Sequence, residues 1–228
     1  MIKKVCLLSI VCCISLGAIA SEKADPFAVG EKWVYKHDGP KPMSWNNQKI
    51  DGDMVRVVTE IKGEGEQKRW IIKETYGTAD ERPTSSYIDS NKQFSKMESG
   101  SDRSMTYDPI VPYYFPELKV DEAKEIKTNL NFGQGSFPVS MTYKRIADET
   151  VKVPAGEFKN CQHYKVKTVF TFNRDGNEFK MESGRELWYN AKVNGLVKIV
   201  TIQPDREYNG QVRKGYTATS ELKKYSKK

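Results

Sequence analysis

The stretch Val153-Pro154-Ala155-Gly156-Glu157-Phe158-Lys159-Asn160-Cys161-Gln162-His163-Tyr164 places a thiol two residues from an imidazole. An imidazole that lowers a thiol pKa produces a nucleophile, usually with a third group to orient the ring. On a β-strand, positions i and i+2 share a face, with Cα atoms about 6.5–7 Å apart. That is close enough for a Cys161–His163 pair. The pattern around it supplies no third group. A lone cysteine is more often a small, buried, inert packing residue, and that is our reading of Cys161. Pairing of Cys161 between two chains is the remaining alternative.

Other chemistry finds less support. His37 and His163 are the two histidines, far apart in sequence, so a zinc site would have to borrow carboxylates. The acidic doublets Asp80-Glu81, Asp121-Glu122 and Asp148-Glu149 are neighbours. On strands they face opposite ways and form no acid/base pair. Asp175-Gly176 resembles part of a calcium loop but lacks the following glycine and terminal glutamate. There is no nucleophile elbow, phosphate loop or nucleic-acid motif. Catalytic residues, metals and cofactors are not expected. The aromatic residues are numerous for a plain core, although β-sheets favour aromatics in general. Trp33, Tyr35, Trp70, Tyr114, Phe170 and Trp188 are the candidates to line an apolar ligand cavity.

The N-terminus has the form of an export signal. Lys3 and Lys4 precede an apolar run from Val5 to Ile19, and Ala18-Ile19-Ala20 fits a signal-peptidase site. Cleavage after Ala20 would leave a β-rich chain of residues 21–228 in the periplasm or outside the cell, without a transmembrane segment. Cys12 and Cys13 lack the small preceding residue that lipidation needs. Three of the four cysteines would leave with the leader, so no internal disulfide framework is expected. The 37 Lys and Arg less Lys3 and Lys4 leave 35 against 30 acidic residues, about +5. These charges are interspersed except in the tail, Lys223-Lys224-Tyr225-Ser226-Lys227-Lys228.

The elements that must position these residues are strands. Lys32–Lys36, Met54–Ile61, Trp70–Tyr76, Leu196–Ile202 and Tyr216–Leu222 read as extended runs, many alternating with period two. Tyr164, Val166, Phe170 and Phe172 alternate with polar residues, Asp175-Gly176 marks a turn, and Phe179, Met181, Leu187 and Tyr189 return. Residues 121–130 also read as strand rather than helix. Residues 99–116, with Pro109, Pro112 and Pro116, read as irregular, because proline is unsuited to a central strand. Pro26–Glu31 faintly echoes Pro116–Glu122, so one domain over 21–228 could consist of two similar halves split near 116. Roughly nine to twelve antiparallel strands in one sheet must curl or close. The expected fold is all-β: a strongly curved antiparallel sheet, half-barrel or barrel-like.

The C-terminal half resembles a known group. Val151–Phe158 with its Val-Pro-Ala-Gly-x-Phe turn, Cys161, Glu186-Leu187-Trp188-Tyr189 and Gly195-Leu196-Val197-Lys198 resemble the DUF3108-like, or TapB-like, exported bacterial proteins. Phe27–Tyr35 resembles their opening Val-Gly-x-x-Trp-x-Tyr element. The resemblance implies a β-rich envelope protein of unknown function, related to the half-barrel of LolA-type lipid carriers, with no catalytic residues to transfer. Two functions stay open: a non-enzymatic carrier of a lipid or other apolar or amphipathic ligand, and an interaction protein with an envelope protein partner. A cysteine-dependent enzyme using Cys161 and His163 ranks below both.

Overall fold

The computed structural model describes residues 25–41, 49–50, 52–77, 82–100, 103–113, 117–133, 135–174, 177–208 and 211–227. The export signal, Tyr114, Asp80-Glu81 and the Asp175-Gly176 turn lie outside the described residues. In chain order the strands are β1 (Lys32–Asp38), β2 (Asp53–Lys62), β3 (Arg69–Tyr76), β4 (Thr84–Ile88), β5 (Gln93–Ser99), β6 (Arg103–Pro112), β7 (Ala123–Phe132), β8 (Gly135–Val153), β9 (Gly156–Arg174), β10 (Asn177–Asn190), β11 (Gly195–Gln203), β12 (Arg206–Tyr208), β13 (Gln211–Arg213) and β14 (Tyr216–Ser226).

Twelve of these strands form one closed antiparallel barrel in which each neighbours the next, and β14 pairs with both β11 and β1. The half-barrel alternative therefore resolves to a closed barrel. β12 and β13 form a separate two-stranded ribbon between β11 and β14. The ribbon is set off from the barrel at Gly215. A Cβ there would collide with Gln203 O and the Pro204 backbone. Gly215 N–H instead donates to Asp205 Oδ1 at 2.8 Å.

Alternation sorts the side chains. On β9 the even positions Val166, Thr168 and Phe170 line the interior, while Lys165 and Lys167 are exposed. The outer face carries cross-strand ion pairs such as Lys167–Glu182 at 2.9 Å and Lys198–Glu221 at 2.9 Å. A membrane-spanning barrel needs an apolar outward band, and this pattern is the reverse. No helix among the described residues is long and apolar enough to cross a membrane.

One expectation needs correction. Residues 103–112 are not irregular: they form β6, in the barrel wall between β5 and β7. The prolines are accommodated because the ladder breaks around them. β5 pairs with β6 at Lys96↔Thr106 and again at Phe94↔Val111, which leaves Tyr107–Ile110 bulged away from β5. β7 pairs only with Met105–Asp108. Pro109, after a cis peptide bond, needs no N–H there, and its carbonyl accepts from Thr128 Oγ1 at 2.5 Å.

The chain enters the barrel twice by the same local geometry. Before β1, Glu31 N–H donates to Ala28 O and Ala28 N–H to Glu31 Oε2, both at 3.0 Å. Before β7, Glu122 N–H donates to Lys119 O at 3.0 Å and Lys119 N–H to Glu122 Oε2 at 2.9 Å. Each turn also exchanges two backbone hydrogen bonds with a barrel strand: Gly30 and Glu31 with Val58, and Asp121 and Glu122 with Arg145. Phe27 and Leu118 are buried at matching positions, and Val29 and Val120 are exposed. The environments differ. Glu31 is fully buried and also accepts from Tyr225 Oη at 2.7 Å, whereas Glu122 is exposed.

That difference sets an expected outcome. Glu31→Ala orphans part-buried donors, Ala28 N–H and Tyr225 Oη, and should cost roughly 2–3 kcal/mol, against about 1 kcal/mol or less for Glu122→Ala. Urea midpoints of the two variants check this, and equal losses would contradict the asymmetry.

Candidate functional site

The interior of the barrel holds a cavity of about 420 Å³. Its wall is mostly apolar, with Met54, Phe94, Met97, Met141, Val166, Phe170, Met181, Leu187 and Ile199. Across this wall runs a polar belt of Arg56, Glu74 and Arg185, accompanied by Tyr76, Tyr107, Tyr113 and Tyr143. Arg56 on β2 and Glu74 on β3 are direct cross-strand partners, and Arg56 Nε donates to Glu74 Oε2 at 2.5 Å. Burial works against ionisation of Glu74, but the charge and hydrogen bond of Arg56 outweigh it, so its carboxyl stays below the ordinary range. Arg56 also lies over the Tyr35 ring, 5.9 Å from its centroid.

Arg185 enters from β10, where its neighbours on β9 and β11 are Val166 and Thr201. Its charge acts on Glu74, Tyr76, Tyr107, Tyr113 and Tyr143 together, which places it at the level of the belt. Burial raises the tyrosine pKa values, that of Tyr143 to about 12, so these residues act as neutral hydroxyls at physiological pH.

His37 borders the same cavity. Its Nε2 is 3.0 Å from Gly39 O and its Nδ1 2.9 Å from Ser220 Oγ. A carbonyl only accepts, so Nε2 carries a proton, and Nδ1 can accept from the hydroxyl. Burial pushes its pKa below the ordinary histidine value. A shallower cleft of about 430 Å³ lies elsewhere, bordered by Glu60, Lys62, Lys73 and Glu98, and it contains none of the predicted residues.

The aromatic candidates separate. Phe170 lines the cavity. Trp33, Tyr35 and Trp70 are packed in the core. Trp33 Nε1 donates to Val193 O at 2.7 Å and Tyr35 Oη to Leu196 O at 2.9 Å. Trp188 lies at the opposite parity to Met181, Ser183, Arg185 and Leu187, which line the cavity, and stacks on His163 with centroids 4.3 Å apart. Tyr114 is outside the described residues.

Cys161 and His163 share the parity of Lys165 and Lys167, not that of the lumen. The two His163 nitrogens face Glu149 Oε1 at 3.0 Å and Glu186 Oε2 at 3.1 Å. Cys161 is fully buried; its thiol donates to Phe158 O at 3.2 Å and receives Asn190 Nδ2 at 3.5 Å. The structure thus engages the imidazole with carboxylates and the thiol with amide groups. Burial pushes the thiol pKa up, opposite to the activation a nucleophile needs.

The sequence reading missed Arg56, Glu74 and Arg185. Their signal was parity: Arg56 shares a face with Met54, Glu74 with Trp70, Ile72 and Tyr76, and Arg185 with Met181 and Leu187. A charged residue in the inward series of an amphipathic strand marks a polar site in the interior.

Comparison with known proteins supports the fold. A protein inferred to be exported, with a YmcC-like fold, from Bacteroides fragilis superposes with a TM-score of 0.52 at 13% identity, covering 89% of this chain and 98% of its own. A protein inferred to be a lipoprotein, from Parabacteroides distasonis, gives a TM-score of 0.49 at 15% identity over 89% and 97%. No protein-family model and no curated protein matches the sequence. At 13% identity the likeness to the Bacteroides protein extends to the fold alone, and the DUF3108-like resemblance has no family match behind it.

Two outcomes are expected. Cys161 should resist iodoacetamide at neutral pH until the protein is denatured; rapid labelling of the folded protein would contradict its burial. The lowered pKa of folded His37 means that the unfolded chain binds its proton more readily. Its contribution is complete above the unfolded value of about 6.5 and is lost as pH falls through the lower folded value. Urea midpoints between pH 7.5 and 5 should therefore fall less steeply for His37→Gln than for the unsubstituted protein.

Proposed function

We propose that this is an exported, non-enzymatic cell-envelope protein that holds an apolar or amphipathic ligand inside its barrel. The observation that carries this reading is the cavity of about 420 Å³, whose mostly apolar wall is crossed by one polar belt. Such volumes and linings are typical of small-molecule sites, which run from roughly 300 to 1,000 Å³. Export is supported by the form of residues 1–20, by the resemblance to DUF3108-like proteins, and by the exported character inferred for the Bacteroides protein of like fold. A non-enzymatic role is supported by the engagement of His163 with glutamates and the burial of Cys161.

The test is native mass spectrometry of residues 21–228 purified from a bacterial periplasm without detergent, followed by solvent extraction. A stoichiometric adduct that extraction removes is the expected result. An apo mass that stays unchanged after incubation with a total lipid extract would overturn the proposal.

A further inference from the structure

We infer that the lumen selects amphiphiles with an anionic head, the head set against Arg185 and the tail against the apolar wall. This inference rests on the ligand-binding reading above and adds the chemical class of the ligand.

The belt carries two guanidinium groups and one carboxylate. Arg56 is committed to Glu74, its cross-strand partner at 2.5 Å. Arg185 has no hydrogen-bond or ion-pair partner among the described residues, although its side chain is exposed within the cavity wall. The belt therefore carries a net charge of +1: Glu74 is bonded to Arg56 and acts on Arg185 only at longer range. Arginine cannot shed its proton to relieve this. Low-dielectric walls strengthen the attraction of such a charge for an anion relative to open water. The planar guanidinium also matches a carboxylate or phosphate in a two-point geometry.

The surroundings select the rest of the molecule. Phe94, Met97, Met141, Phe170 and Met181 offer a tail rings and thioethers, and unbranched methionines adapt to chains of differing shape. A cationic head would meet Arg56 and Arg185, with Arg206 on the same wall, and be repelled. A neutral polyol head would gain hydrogen bonds but no charge attraction. Specificity therefore lies in the sign of the head charge.

Four probes with the same tail separate these cases: dodecanoate, dodecyl phosphate, dodecyltrimethylammonium and dodecyl maltoside. Each is titrated calorimetrically below its micelle concentration into residues 21–228. The two anions are expected to bind, with the cation and the maltoside at least tenfold weaker. Preference between the anions distinguishes a carboxylate from a phosphate head. Arg185→Gln should weaken the anions about tenfold or more, to the level of the maltoside, and Arg185→Lys should retain part of the preference. Arg185 is exposed, so both variants should melt near the unsubstituted protein. If either misfolds, the head-group series on the unsubstituted protein decides alone. Equal binding of all four probes would overturn the anion site and leave the ligand-binding reading standing. Binding of none would overturn both.

Discussion

Closure of the sheet is the constraint from which the other features follow. Pairing of β1 with both β2 and β14 leaves the barrel without an edge, so its strands do not template pairing with other chains. Closure also makes the alternation absolute: each inward side chain must be packed, solvated or matched by something else. About eight strands suffice for side chains to fill a barrel interior. This barrel has twelve, and side chains leave part of the interior open.

The filled part is built around the first strand. Trp33 and Tyr35 are fully buried and reach across the chain to the carbonyls of Val193 and Leu196, more than 150 residues away in sequence. Gly195 belongs to this contact, because a Cβ there would lie 2.6 Å from Trp33 Nε1. Tyr225 of β14 bonds Glu31 and packs on Trp33, with centroids 5.9 Å apart. The β8–β9 turn joins the same assembly: Ala155 N–H donates to Leu222 O at 2.8 Å, and Val151 and Val153 are buried. Val-Pro-Ala-Gly thus shapes the tip of the longest hairpin, with Gly156 at φ 124°, and supplies no chemistry of its own.

The fold was legible in the sequence wherever period two was uninterrupted, as in β1, much of β9 and β14. Residues 103–112 were misread because proline argues against a paired strand only where the ladder is continuous. A bulge is not visible in residue types alone. Cys161 and His163 were correctly placed on one face. What the sequence withheld was their partners, since Glu149 and Glu186 reach His163 through pairing across two hairpins. The polar belt was hidden for a related reason. Arg56 and Glu74 already meet in the β2–β3 hairpin, but Arg185 comes from β10 and reaches their level only once the sheet has closed. Attention to aromatics selected residues that β cores use in abundance, and four of the described candidates, Trp33, Tyr35, Trp70 and Trp188, are packed in the core.

The two classes of charge on this barrel also differ in physical cost. Outward pairs such as Lys167–Glu182 sit in water, where such bridges contribute little to stability and cost little to form. The inward charges lie among side chains that could have been apolar throughout. Arg56 and Glu74 at least satisfy each other, although a well-packed apolar pair in their place would commonly be no less stable. Arg185 has no such direct partner among the described residues, but it stays exposed within the cavity between Ser183 and Leu187, so its guanidinium keeps water and bears little desolvation cost. Packing thus accounts for the barrel and its core, and the net positive charge of the belt is the feature on which the proposed preference for an anionic head rests.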